Sequence, residues 1–157
     1  LSRLISRNTM RKILILLTST FSLAVHADNL NQTQTESIQT GVTQAMYDSV
    51  QCWNAADLKC FMAGYVKSDK TLFISGDKFI HGWQNSYDHY QKKYGTNRQG
   101  MGKLNIKIDE IRALDENHAF LYGRWQLKTE SKEYSGVTSL IFEKHANKWQ
   151  IIIDHSN

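Results

Sequence analysis

Apolar positions first recur with helical spacing and later alternate. Ile38, Val42, Ala45, Met46, Ser49 and Trp53 share one stripe, which predicts a long amphipathic helix over about 34–55. Asn54-Ala55-Ala56-Asp57 interrupts the stripe. Asp57 can accept from the first free N–H groups of a second, short helix. That helix buries Leu58, Phe61 and Met62 and stops at Gly64. Two strand-like runs, Thr71–Ser75 and Lys78–His81, flank Gly76-Asp77 and predict a hairpin. Trp83, Tyr87, Tyr90 and Tyr94 then lie on one face of a third helix that ends at Gly95.

The last third of the chain reads as strands. Leu104, Ile106 and Ile108 alternate, and the phase shifts at Ile111. A bulge near Asp109-Glu110 accounts for that shift. Ala119, Leu121, Gly123, Trp125 and Leu127 share a face of the next strand, with Phe120, Tyr122 and Arg124 on the other. Strands over about 134–144 and 148–156 follow, joined at Ala146-Asn147. The order α-α-β-β-α-β-β-β-β predicts an α+β domain with a mainly antiparallel sheet.

The first 27 residues change how the composition is read. Met10-Arg11-Lys12 is a basic start, Ile13 to about Val25 is apolar, and Val25-His26-Ala27 ends on small residues at −1 and −3. These are the marks of a cleavable signal peptide over 1–27, with Met10 as a start and 1–9 as an upstream extension. The apolar stretch is shorter than the roughly 20 residues a membrane span requires. No Cys sits just after the cleavage point, so no stable membrane anchor is expected once the signal is removed. The full chain has 19 Lys+Arg and 15 Asp+Glu. Arg3, Arg7, Arg11 and Lys12 precede the cleavage point, so residues 28–157 hold 15 basic and 15 acidic residues and no net charge. A nucleic-acid footprint is a basic patch on the folded domain, and no such excess remains. Export places the domain in the periplasm or the medium. There a bridge between Cys52 and Cys60 is permitted; two unlinked thiols are the alternative. Residues 28–34 read as a flexible, polar lead-in, and 35–157 as one domain.

Several pieces resemble the NTF2-like superfamily, and within it the SnoaL-like/DUF4440 branch. They are Trp53-Asn54-Ala55-Ala56-Asp57, Phe61-Met62-Ala63-Gly64-Tyr65, Gly82-Trp83, Gly102 with Leu104, Gly123-Arg124-Trp125, Gly136, and Trp149 followed by Asp154-His155-Ser156. Together they span nearly all of 38–156. The resemblance implies a cone, in which a curved sheet wraps three helices and leaves a pocket at the open end. It also implies a homodimer through the outer sheet face. The superfamily contains isomerases, cyclases, dehydratases and non-catalytic modules, so the fold alone does not fix a function.

Strand parity points to the candidate site. On the last strand Trp149, Ile151, Ile153 and His155 share the more apolar face, which places His155 inside and Asp154 outside. Trp125 and Gly123 point inward, and Gly123 leaves room for a ligand. Trp53, Tyr65, Trp83, Tyr87 and Tyr90 come from the helical side. An aromatic lining with a few polar groups suits a small apolar or aromatic molecule. The expected ligand-binding set is therefore Trp53, Tyr65, Trp83, Tyr87, Tyr90, Trp125, Asp154 and His155. His155 is the candidate catalytic acid–base, because imidazole titrates near neutral pH. Isomerase chemistry also requires an inward carboxylate, and no residue stands out for it. His81, His89, His118 and His145 read as surface. Neither a phosphate-cradling glycine loop nor a paired-histidine metal motif is present, and no cofactor or metal is expected. Three functions stay open: a binding module, an acid–base enzyme using His155, and a domain whose role is dimerisation or interaction.

Overall fold

The computed structural model describes residues 30–157. The segment read as a signal peptide with its upstream extension, and the first two residues of the expected lead-in, lie outside the described residues. Helix α1 (Gln32–Asn54) begins earlier than the apolar stripe predicts. Asn31 and Gln34 explain this. The Asn31 side chain accepts from the Gln34 N–H, and the Gln34 side chain accepts from the Asn31 N–H, both at 2.9 Å. This reciprocal cap satisfies two otherwise free donors, so residues 32–34 are helical rather than lead-in. Ile38, Val42, Met46, Ser49 and Trp53 form the buried face. Gly41 lets the helix lie close against the sheet: a Cβ there would come within 2.7 Å of the Trp149 indole.

Asp57 caps α2 (Leu58–Met62) by accepting from the Cys60 N–H at 2.9 Å. A disulfide between Cys52 and Cys60, with Cα atoms 5.4 Å apart, ties α2 to the last turn of α1. Strands β1 (Leu72–Ser75) and β2 (Lys78–His81) form the hairpin, and α3 (Trp83–Tyr94) follows. A short helix that the apolar pattern does not predict, α4 (Arg98–Met101), comes next. The Asn97 side chain caps it through the Gly100 N–H at 2.9 Å. Its Met101 is fully buried, and the Met101 carbonyl accepts from Trp53 Nε1 at 2.8 Å.

Strands β3 (Lys103–Ala113), β4 (His118–Lys128), β5 (Glu133–His145) and β6 (Lys148–Ser156) complete an open six-stranded sheet of order β2-β1-β6-β5-β4-β3. Every pairing is antiparallel except β1 with β6. The helices cover the inner face, and the core lies between.

Two bulges set which side chains reach that face. In β3 the register shifts between Ile108 and Glu110, leaving Asp109 as the extra residue. Gly123 sits opposite Ile108, where a Cβ would run into the Lys107 carbonyl. The space beside Gly123 is therefore taken by neighbouring backbone, not by a ligand. The glycine permits the close strand approach that a bulged sheet needs. In β6, Ile153 pairs with Ile141 and Ile151 pairs with Phe142, so Ile152 is the extra residue. The inward positions before it are Trp149 and Ile151. After it the inward positions are Asp154 and Ser156.

Candidate functional site

A cavity of about 660 Å³ opens between α1, α3 and the inner face of the sheet. Of the residues expected at a pocket, Trp53, Tyr65, Tyr90, Trp125 and Asp154 line it. Phe61, Phe73 and Tyr94 join them. The aromatic wall is built edge to face. Trp53 meets Phe61, Tyr90 and Tyr94 at centroid distances of 4.9, 5.8 and 5.1 Å with steep interplanar angles. Phe73 stacks on Tyr90 at 5.1 Å. Such pairs fix ring orientation and add to the burial of apolar area. The wall is therefore rigid as well as apolar.

Asp154 is the polar floor. It is 3% exposed. Tyr65 Oη donates to Asp154 Oδ2 at 2.6 Å, and Ser156 Oγ donates to Oδ1 at 2.6 Å. Thr138 Oγ1 lies 2.9 Å from Ser156 Oγ and extends the chain of hydroxyls. Burial raises the Asp154 pKa above the ordinary carboxylate value, while Ser156, Tyr65 and Tyr90 oppose that rise. Burial first, and the nearby Asp154 second, push both Tyr65 and Tyr90 well above the ordinary phenol value. Both tyrosines are therefore protonated donors at neutral pH. This is the inward carboxylate that strand parity placed outside.

Three expected residues lie elsewhere. His155 is on the opposite face of β6 from Asp154, and its Nε2 lies 2.9 Å from Asn157 Nδ2. The extra residue at Ile152 reverses the parity on which the inward placement of His155 rested. Trp83 and Tyr87 stack on each other at 5.5 Å outside the cavity wall. Trp83 Nε1 donates to the Met62 carbonyl at 2.7 Å, bracing α3 against the end of α2. Helical spacing puts these rings on the stripe of Tyr90 and Tyr94, but only the C-terminal half of α3 reaches the cavity.

His89 differs in the other direction. It was expected at the surface, yet it lines the cavity, with its ring 5.7 Å from Phe73. Its Nε2 is buried without a hydrogen-bond partner among the described residues, as is Trp125 Nε1. Burial, and then Lys93, Lys78 and Lys92, lower the His89 pKa. Lys93 also lines the cavity. A single His within a polar helix face gives no sequence signal of this placement.

No family model matches the chain, and no curated protein matches it. Solved structures do. An NTF2-like protein of unknown function from Shewanella oneidensis MR-1 is 33% identical, with 76% of this chain and 98% of that chain covered and a TM-score of 0.72. A nuclear transport factor 2 (NTF2-like) superfamily protein from Salmonella enterica serovar Typhimurium LT2 is 20% identical, covering 78% and 91% of the two chains at a TM-score of 0.61. A ketosteroid isomerase-like protein from Erwinia carotovora atroseptica SCRI1043 is 16% identical, covering 74% and 92% at 0.57. The last two carry the fold alone, and none of the three distinguishes a branch within the superfamily. The identity and coverage of the Shewanella protein, together with the helix-filled open sheet and its aromatic cavity, show that this chain belongs to the NTF2-like family.

Proposed function

We propose that the protein is an exported small-molecule-binding domain whose cavity holds a mostly apolar, ring-bearing ligand. The observation that carries this reading is the cavity itself. About 660 Å³ is left open among rigid aromatic rings, with one hydrogen-bonded carboxyl on its floor. An apolar wall with a few fixed polar groups is the usual make-up of a ligand site. A domain needing only to fold would fill such a space with its own side chains, because each unfilled volume costs stability. Thermal shift with a metabolite panel tests the idea, comparing wild type with Ile106→Trp, which fills the cavity from its wall. At least one compound should raise the Tm of wild type and not of the variant. No shift with any compound would sink the reading.

The Cys52–Cys60 bridge supports export, since such bonds persist in oxidising compartments. Expression of the full chain in a bacterial host should yield periplasmic or secreted protein beginning at Asp28, read by intact mass. Cytoplasmic retention of the uncut chain would overturn export.

The Tyr65–Asp154 pair favours a second reading, acid–base catalysis on the same ligand, with Asp154 in the role first assigned to His155. A carboxyl whose pKa burial raises is a better proton donor-and-acceptor candidate than a solvated one. Its test is product formation from a cavity ligand, lost in Asp154→Asn while binding persists. The outer face supports a homodimer. Phe79 and Val137 are 67% and 52% exposed, and Ile141 and Ile153 pair side by side on the same face. Sedimentation should give a dimer mass at micromolar concentration, and Ile141→Lys should give a monomer.

A further inference from the structure

We propose that the ligand is an organic anion: a ring-bearing apolar body with one carboxylate, the carboxylate held at the cavity mouth by Lys93. This rests on the reading of the cavity as a binding site and names what it binds. Among the side chains that line the cavity, His89 aside, only Asp154 and Lys93 are of an acidic or basic type, and they differ in how they are satisfied. Asp154 is buried and already receives two hydroxyl donors. It asks for no cation. Lys93 is exposed, lies 5.0 Å over the Tyr94 ring, and forms no ion pair among the described residues. The cavity's unanswered charge is therefore positive, and it sits at the open end.

The neutral polar groups on the wall point the same way. Trp125 Nε1 is a donor only, and it is buried without a partner. His89 Nε2 is likewise unpartnered and becomes a second donor in the tautomer that carries its proton there, and Lys93, one helical turn on, lines the same cavity. Unmet donors call for an acceptor-rich group, and the lysine field at this end favours that group when it is negative. A carboxylate on a ring system meets both needs. The rings replace the aromatic contacts of the wall, and the carboxylate stays near water, where its desolvation is least costly.

Matched probes separate this inference from the reading beneath it. Calorimetric titration with 1-pyrenebutyrate and 1-pyrenebutanol compares one ring system with and without the charge. Both should bind wild type, with the acid tighter by about fivefold, the upper range for a solvent-exposed ion pair. Lys93→Gln should bring the ratio of the two affinities to about one. Lys132→Gln, an exposed change in the turn between β4 and β5 at a residue outside the cavity lining, should leave the ratio as it is in wild type. Equal binding of the two probes, tighter binding of the alcohol, a preference that survives Lys93→Gln, or one lost equally in Lys132→Gln would overturn the anion proposal and leave the binding reading standing. Binding of neither probe to wild type would overturn both.

Discussion

Two tyrosine–carboxylate pairs sit on opposite faces of the sheet with the same hydrogen bond and opposite electrostatics. Tyr65 donates to Asp154 on the inner face at 2.6 Å, and Tyr122 donates to Glu110 on the outer face at 2.6 Å. Asp154 is raised above the ordinary carboxylate pKa, by burial first. Glu110 is lowered to about 2, by its hydrogen bond to Arg112 first and to Tyr122 second. The tyrosine bond favours the charged form in both places, so it cannot explain the difference. Loss of water around Asp154 and the guanidinium beside Glu110 do. A short hydrogen bond to a carboxylate is thus poor evidence of its charge state until burial and the other partners are known.

The largest effect that sharpens this contrast comes from the disulfide. The bridge holds α2, and so the segment carrying Tyr65, against α1. Replacing both Cys52 and Cys60 by Ser should cost about 2–3 kcal/mol by the chain-entropy account of a short closed loop, read as a lower urea midpoint. It should loosen the Tyr65–Asp154 pair and leave Tyr122–Glu110 untouched, because the latter pair is set by the β3–β4 register. Equal line broadening of both tyrosines in NMR spectra would break the contrast.

Tyr65→Phe comes next. It removes a donor from a buried carboxyl and should cost about 1–3 kcal/mol. Tyr122→Phe should change the urea midpoint far less, because water can replace the lost bond on the outer face. Similar losses for the two variants would show that burial is not what separates the pairs.

The smallest effect is the pH dependence, and its sign differs between the two acids. The folded pKa of Asp154 lies above its unfolded value. Its contribution to stability is therefore full below the ordinary carboxylate pKa and is lost as pH rises through the raised value. The folded pKa of Glu110 lies below its unfolded value. Its contribution is present above the ordinary pKa and is lost as pH falls toward about 2. Urea midpoints across pH should show Asp154→Asn flattening only the upper limb and Glu110→Gln only the acid limb. One slope changed by both variants would refute the assignment.

Each carboxylate directly follows, or follows within two residues, a β-bulge, and the two bulges were not equally legible. Around Asp109 the strand alternates cleanly, Leu104, Ile106, Ile108 and then Ile111, so an extra residue announces itself as a broken phase. Around Ile152 it does not. Ile151-Ile152-Ile153 is apolar on both parities, and inserting one residue leaves the pattern of letters unchanged. A one-residue shift nonetheless carries every later side chain to the other face. That single ambiguity exchanged Asp154 for His155. On α3, spacing found the aromatic stripe of Trp83, Tyr87, Tyr90 and Tyr94, but that only Tyr90 and Tyr94 of these four reach the cavity is not a property of the helix alone.

The sequence by itself determined the element order apart from α4, the helix stripes, the bulge at Asp109 and the aromatic character of the interior. Those follow from period and side-chain type, which are local. Only the tertiary structure decided which acid faces inward, that His89 and Lys93 join the wall, and that Gly123 makes room for backbone instead of ligand. Those depend on strand register and on which elements converge, and register is settled by partners far away in the chain.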